Sequence, residues 1–135
     1  MIKISKIFIK IAKEFNVKYI IKGGGNEYQR INEIQSINSK FIIPVNFPEA
    51  YDVEDPYDAD AISLAELKHW ELAPANPAAL EKNNIQFCLT LCDLKDKNVF
   101  LKNIRKAIQY GLSEKMALKA LTVNPAQFIN ASDKI

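Results

Sequence analysis

A single histidine, His69, and two cysteines, Cys88 and Cys92, are all the imidazole and thiol metal ligands in this 135-residue chain. The cysteines stand four positions apart, so there is no Cys-x-x-Cys pattern for redox exchange or zinc, and one histidine falls short of a structural zinc site. They read as two buried thiols in or beside a strand, and nothing calls for an oxidising compartment. Charge of one sign is missing too. Eighteen Lys and Arg against sixteen Asp and Glu leave a formal charge of +2, too mild to imply a polyanionic partner. The cations are spread along helical faces without interleaved aromatics, which argues against nucleic-acid binding.

No apolar run is long enough to cross a membrane. Residues Met1 to Ile11 imitate a signal peptide, but Lys10 and Lys13 interrupt the stretch and no small-residue cleavage site follows, so a soluble location is expected. There is no internal repeat. With 48% hydrophobic and 25% charged residues, the chain has the composition of one ordinary globular domain spanning residues 1–135.

What is present alternates between two periods. Ile4, Ile7, Phe8, Ile11, Ala12 and Phe15 recur at helical spacing, with Lys3, Lys6, Lys10 and Lys13 on the other surface. That basic face suits a solvated exterior better than a membrane surface. Val17 to Lys22 is β-prone and ends at Gly23-Gly24-Gly25. Asn26 and Gln29 then offer a capping box for a helix carrying Tyr28, Ile31 and Ile34. Phe41 to Val45 predicts a second strand and Ile85 to Leu91 a third. A helix follows with Phe100, Leu101, Ile104, Ala107 and Ile108 on one face. Residues Asn46 to about Ser63 read as irregular; helical signals resume at Leu64 and again at Asn76-Pro77. Strands alternating with helices imply parallel pairing through crossovers.

Four features are candidates for chemistry. Gly23, Gly24 and Gly25 lie between a strand and a helix, the place for a phosphate cradle, although the spacing of a dinucleotide motif or P-loop is absent; a flexible turn is the simpler reading. Six carboxylates from Glu49 to Asp60 suggest a hard cation, but Pro56 interrupts the run and no glycine sits inside it, so a solvated acidic lid fits better. His69 follows Glu66 by three residues on an expected helix, a possible base without an evident partner. Asp93 comes directly after the third strand, where a barrel would aim it at the mouth of its active site.

The C-terminal quarter is the most articulate part of the chain. Gly111 suits a left-handed helix end; Leu112 and Ala117 form a hydrophobic staple around an N-cap at Ser113. Asn124 precedes Pro125 as the expected cap of a further helix, with Gln127 in the capping-box position. This succession, Gly111-Leu112-Ser113-Glu114 through Ala117-Leu118-Lys119-Ala120-Leu121-Thr122 to Asn124-Pro125-Ala126, resembles the closing helices of the amidohydrolase (β/α)8 barrel. The likeness extends from Ile7 to Asp133 and is nearest to the imidazolonepropionase-like branch, in which large secreted variants carry segments similar to Pro56-Tyr57-Asp58-Ala59 and Phe100-Leu101-Lys102-Asn103.

The resemblance implies an α/β fold, a partial TIM-type barrel of three parallel strands matching the sixth, seventh and eighth. Intact relatives hydrolyse amide or cyclic C–N bonds with one or two divalent metals such as zinc. Where the sixth strand should present a histidine, this chain has Lys22-Gly23-Gly24-Gly25, and only Asp93 stands near the position of the eighth-strand aspartate. The expectation is a fragment related to a metal-dependent hydrolase, without metal ligands of its own and inactive alone, with Asp93 and Gly23 to Gly25 facing the former active site. Cut edges of such a barrel imply self-association or docking onto a missing half. The alternatives are a protein-interaction module built from half a barrel, and an independent α/β enzyme with an anion site at Gly23 to Gly25.

Overall fold

Three short strands, all parallel, form one sheet in the order β1-β2-β3 in the computed structural model, which describes residues 7, 10, 11 and 14–134. They are β1 (Ile20–Lys22), β2 (Lys40–Pro44) and β3 (Phe87–Thr90), in the register Ile20 with Lys40, Phe41 with Phe87 and Ile43 with Leu89. Each expected strand is present, and β1 and β3 are shorter than their β-prone runs. The fold class is therefore α/β with a three-stranded parallel sheet and flanking helices.

A 3-10 turn (Glu27–Arg30) and α1 (Ile31–Ile37) connect β1 to β2. The longer connection from β2 to β3 holds α2 (Pro56–Ala61), α3 (Leu64–Leu72), a 3-10 turn (Ala73–Ala75) and α4 (Asn76–Lys82). After β3 come a 3-10 turn (Lys97–Val99), α5 (Phe100–Gln109), α6 (Glu114–Leu121), α7 (Val123–Phe128) and a final 3-10 turn (Ser132–Lys134). Sequential strand order requires each connection to travel the same way across the sheet, the arrangement that consecutive βα units produce.

Side chains alternate across a strand, so Phe41 and Ile43 of β2 share a face with Phe87 and Leu89 of β3. That face packs against Leu80 of α4, Ile104 and Ala107 of α5, and Leu112, Ala117 and Ala120 around α6. Each fully buried large side chain contributes about 1.5–3 kcal/mol. Helices of six to ten residues are too short to persist by propensity alone, so this packing holds them. On α5 the expected apolar face is trimmed: Ile104 and Ala107 are buried, but Leu101 is 60% exposed.

Caps explain the boundaries. Asp55 accepts from the Tyr57 N–H and Pro56 fills the first turn, so a helix forms in the region expected to be irregular. Ser63 and Glu66 close a full capping box on α3, and their hydrogen bonds hold the Glu66 carboxyl below its ordinary range. At the other end of the chain Gly111 takes φ +106°, Ser113 accepts from the Met116 N–H, and Leu112 and Ala117 are both buried, as the staple required.

Two capping expectations fail. Asn26 makes no side-chain cap, because the Tyr28 N–H donates to Asn76 Oδ1 and the Gln29 N–H to the Asn26 backbone carbonyl. Asn124 lies inside α7 rather than before it, and its side chain reaches β3. The N-terminal amphipathic helix falls largely outside the described residues; of its apolar members, Ile7, Ile11 and Phe15 are helical and exposed.

Candidate functional site

The sequence candidates Asp93 and Gly23 to Gly25 each follow a strand at the same, C-terminal end of the sheet. The link is Lys22, the last residue of β1, whose ammonium donates to Asp93 Oδ2 at 2.6 Å across 71 positions of sequence. Cys92 Sγ also donates to Asp93, at 3.5 Å. The hydrogen bond from Lys22, and then that from Cys92, holds the Asp93 carboxyl below the ordinary carboxylate range. The same contact with Asp93, helped by Cys92, raises Lys22 above its ordinary value. Both side chains are about half exposed, so water screens the pair. Asp93 itself sits at φ +71°, a left-handed turn that asparagine and aspartate tolerate better than most residues.

The glycine loop carries out its expected chemistry on an unexpected ligand. Its amides do hold an anion, but the anion is Glu27 of the same chain. Glu27 Oε1 accepts from Gly24 N–H at 2.6 Å and Gly25 N–H at 3.2 Å, while Oε2 accepts from Asn76 Nδ2 at 2.6 Å. The carboxylate is buried at 6% exposure. Asn76 completes the circuit by accepting from the Tyr28 N–H through Oδ1. The position of Gly23 shows how tightly the carboxylate is held: a Cβ there would meet Glu27 Oε1 and Ile43 Cδ1 well inside contact distance.

His69 has a partner that the sequence did not disclose. Its Nδ1 is hydrogen-bonded to the Tyr28 hydroxyl at 3.0 Å, and the two rings stack with centroids 6.1 Å apart. Tyr28 thus ties α3 to the loop after β1. The cysteines divide: Cys88 is buried, and burial pushes its thiol up, whereas Cys92 is exposed rather than buried as expected. Among the described residues no group of three or more His, Cys, Asp or Glu is placed to hold a metal ion. No described helix is long and apolar enough to cross a membrane.

An open groove of about 600 Å3 lies at the other end of the sheet, beneath the N-terminal strand ends. Here α1, α4 and α7 run out, closing through left-handed Asn38, Asn84 and Asn130. Helix C-termini carry partial negative charge, and Lys18 and Lys40 in the groove answer it; Lys40 also stands 5.1 Å from the Phe128 ring centroid. This groove is explained by its helix ends, and it is remote from Asp93.

No family model matches the chain, and neither a curated protein nor a solved structure is similar enough to count as a relative.

Proposed function

We propose that this chain is an assembly unit related to the C-terminal part of an amidohydrolase-type barrel. It acts by offering the edge of β1, which no other described strand pairs, to a further strand, without hydrolysing a substrate by itself. The observation that carries this reading is the asymmetry of the two sheet edges.

On β3, Gln86 C=O accepts from Phe41 N–H of β2, so the next carbonyl, Phe87, points outward. Asn124 Nδ2 donates to that outward carbonyl at 2.6 Å and is itself buried, which satisfies one outward group of this edge. On β1 the neighbouring β2 takes Tyr19 C=O and Gly23 N–H. The backbone groups of Ile20 and Lys22 alternate with these and face away from the sheet. Ile20 remains 45% exposed. Parallel sheets are normally covered on both faces and rarely end in a bare apolar edge, because such an edge recruits another strand.

The same geometry supports an inactive rather than a catalytic role. The family aspartate would have to be Asp93, and its carboxylate is engaged by Lys22. The anion nest that a free-standing enzyme would use is filled by Glu27.

Ile20→Pro tests the reading cleanly. The Ile20 N–H points outward, so proline removes no bond of the existing sheet yet blocks pairing on that side. Wild type should sediment as an associated species and Ile20→Pro as a folded monomer. Ile20→Lys should act in the same direction through its charge. A wild-type chain that stays monomeric at high concentration, or an Ile20→Pro variant as associated as wild type, would overturn the reading.

A further inference from the structure

We infer that the strand received by β1 is the acidic segment Glu49–Asp55 of a second copy of this chain; the inference rests on the edge-pairing reading above and names its partner.

Charge is segregated along the sequence. Residues 1–40 carry eight Lys and Arg against three Glu, whereas residues 41–67 carry seven Asp and Glu and no cation. Among the described residues the only salt bridge is Lys22 with Asp93, so neither Lys18 nor any carboxylate between Glu49 and Asp60 has an ion-pair partner there. Lys18 and the acidic segment are thus left without ion-pair partners among the described residues, and the like charges crowded in the acidic segment repel one another until an opposite charge arrives.

The patterns of the two segments also fit as strands. Lys18, Ile20 and Lys22 are spaced by two, so in extended backbone they share one face of the β1 edge; Val17, Tyr19 and Ile21 share the other. The segment between Pro48 and Pro56 has the matching alternation. Asp52 and Glu54 lie on one face, Tyr51 and Val53 on the other. Paired beside β1, the carboxylates would face the lysines and the apolar pair would face Val17, Tyr19 and Ile21. Cross-strand pairs of both kinds stabilise a sheet.

The segment is also available. Residues 49–53 belong to no helix or strand, and Val53 is 56% exposed, so its apolar side chain is not committed to the core. The exposed contact of Asp52 Oδ1 with the Glu54 N–H would be given up on pairing, while Asp55, the cap of α2, ends the segment. Because donor segment and receiving edge are different surfaces, the contact is either exchanged reciprocally in a dimer or repeated head to tail.

Charge reversal with complementation tests this. Asp52→Lys with Glu54→Lys, and separately Lys18→Glu with Lys22→Glu, should each abolish association measured by sedimentation velocity, with helix content by circular dichroism showing that both remain folded. Mixing the two reversed chains should restore a complex that neither forms alone. Wild-type association should weaken about ten-fold when ionic strength rises from about 0.05 M to about 0.5 M. If Asp52→Lys with Glu54→Lys stays associated while Ile20→Pro does not, the acidic segment is not the partner although the edge is used. If Ile20→Pro also stays associated, the edge reading itself has failed. A mixture of reversed chains that remains monomeric likewise overturns the inference.

Discussion

The Asn76 side-chain amide donates to the Glu27 carboxylate at 2.6 Å, joining the start of α4 to the loop after β1 in a site almost closed to water. With Gly24 and Gly25 it supplies three donors to one anion, and its own carbonyl oxygen receives the Tyr28 N–H. Asn76→Ala would therefore strand a buried charge and a backbone donor at once. Expected loss of stability is about 2–3 kcal/mol, read from urea denaturation. Asn76→Asp should be worse, since it sets a second carboxylate against Glu27. A loss below about 0.5 kcal/mol for Asn76→Ala would mean that water replaces the amide freely.

Gly23 and Gly24 are adjacent in sequence and differ sharply in what surrounds them. A methyl on Gly23 would lie 2.8 Å from Ile43 Cδ1 and press into the Glu27 carboxylate, whereas on Gly24 its nearest neighbour is Asn26 Oδ1 at 3.3 Å. Gly23→Ala should cost about 1–3 kcal/mol by overpacking, and Gly24→Ala well under half of that. Equal melting temperatures for the two variants would contradict this account of the loop.

The sequence carried the three strands and their parallel order because each is a short apolar run rich in aromatic, aliphatic or β-branched residues next to glycine, proline or asparagine, and helical periodicity lies between them. It also located the end of α5 and the start of α6, where Gly111, Ser113 and the Leu112–Ala117 staple act together. What it could not disclose were side chains acting at a distance. The Glu27 plug depends on Asn76, 49 positions on; the cap on β3 depends on Asn124, 37 positions from Phe87; His69 meets Tyr28 across 41. Asn26 and Asn124 both carried good local capping patterns, and each was overruled by a tertiary partner or a shifted helix start. For Glu27 a signal did exist: an acidic residue two positions after three glycines is itself an anion within reach of their amides.

The two cysteines should separate chemically. Cys88 is buried in β3 with its thiol pushed up by burial, and Cys92 is exposed beside Asp93. An alkylating reagent should modify Cys92 in the native protein within minutes and Cys88 only after denaturant is added, as peptide mass mapping would record. Equal labelling of both under native conditions would show that β3 opens readily.

The Lys22–Asp93 pair gives the stability profile a defined sign at each extreme. Asp93 is held below the ordinary carboxylate range, so its contribution is complete at neutral pH and disappears as pH falls through that lowered value. Lys22 is raised, so its contribution is complete below the ordinary lysine value and disappears as pH rises beyond it. Lys22→Met should return the Asp93 carboxyl toward the ordinary range in an NMR titration, and added salt should do so partially in wild type. An Asp93 titration indifferent to Lys22→Met would mean that the contact is not populated in solution.

Asn124 offers the sharpest test of why the two sheet edges differ. Its Nδ2 is the donor to the outward Phe87 carbonyl, in a place where water has little access. Asn124→Ala should destabilise the chain by about 1–3 kcal/mol by leaving that carbonyl unsatisfied. It should also convert β3 into a second open edge. The consequence is specific: Asn124→Ala placed in the Ile20→Pro background should regain association, now through β3, while Ile20→Pro alone stays monomeric. Asn124→Gln, whose amide can still reach a carbonyl after a small shift, should remain monomeric in the same background. If all three chains sediment alike, the closed edge owes nothing to this side chain, and the covering of β3 must come from the packing of α6 and α7 alone.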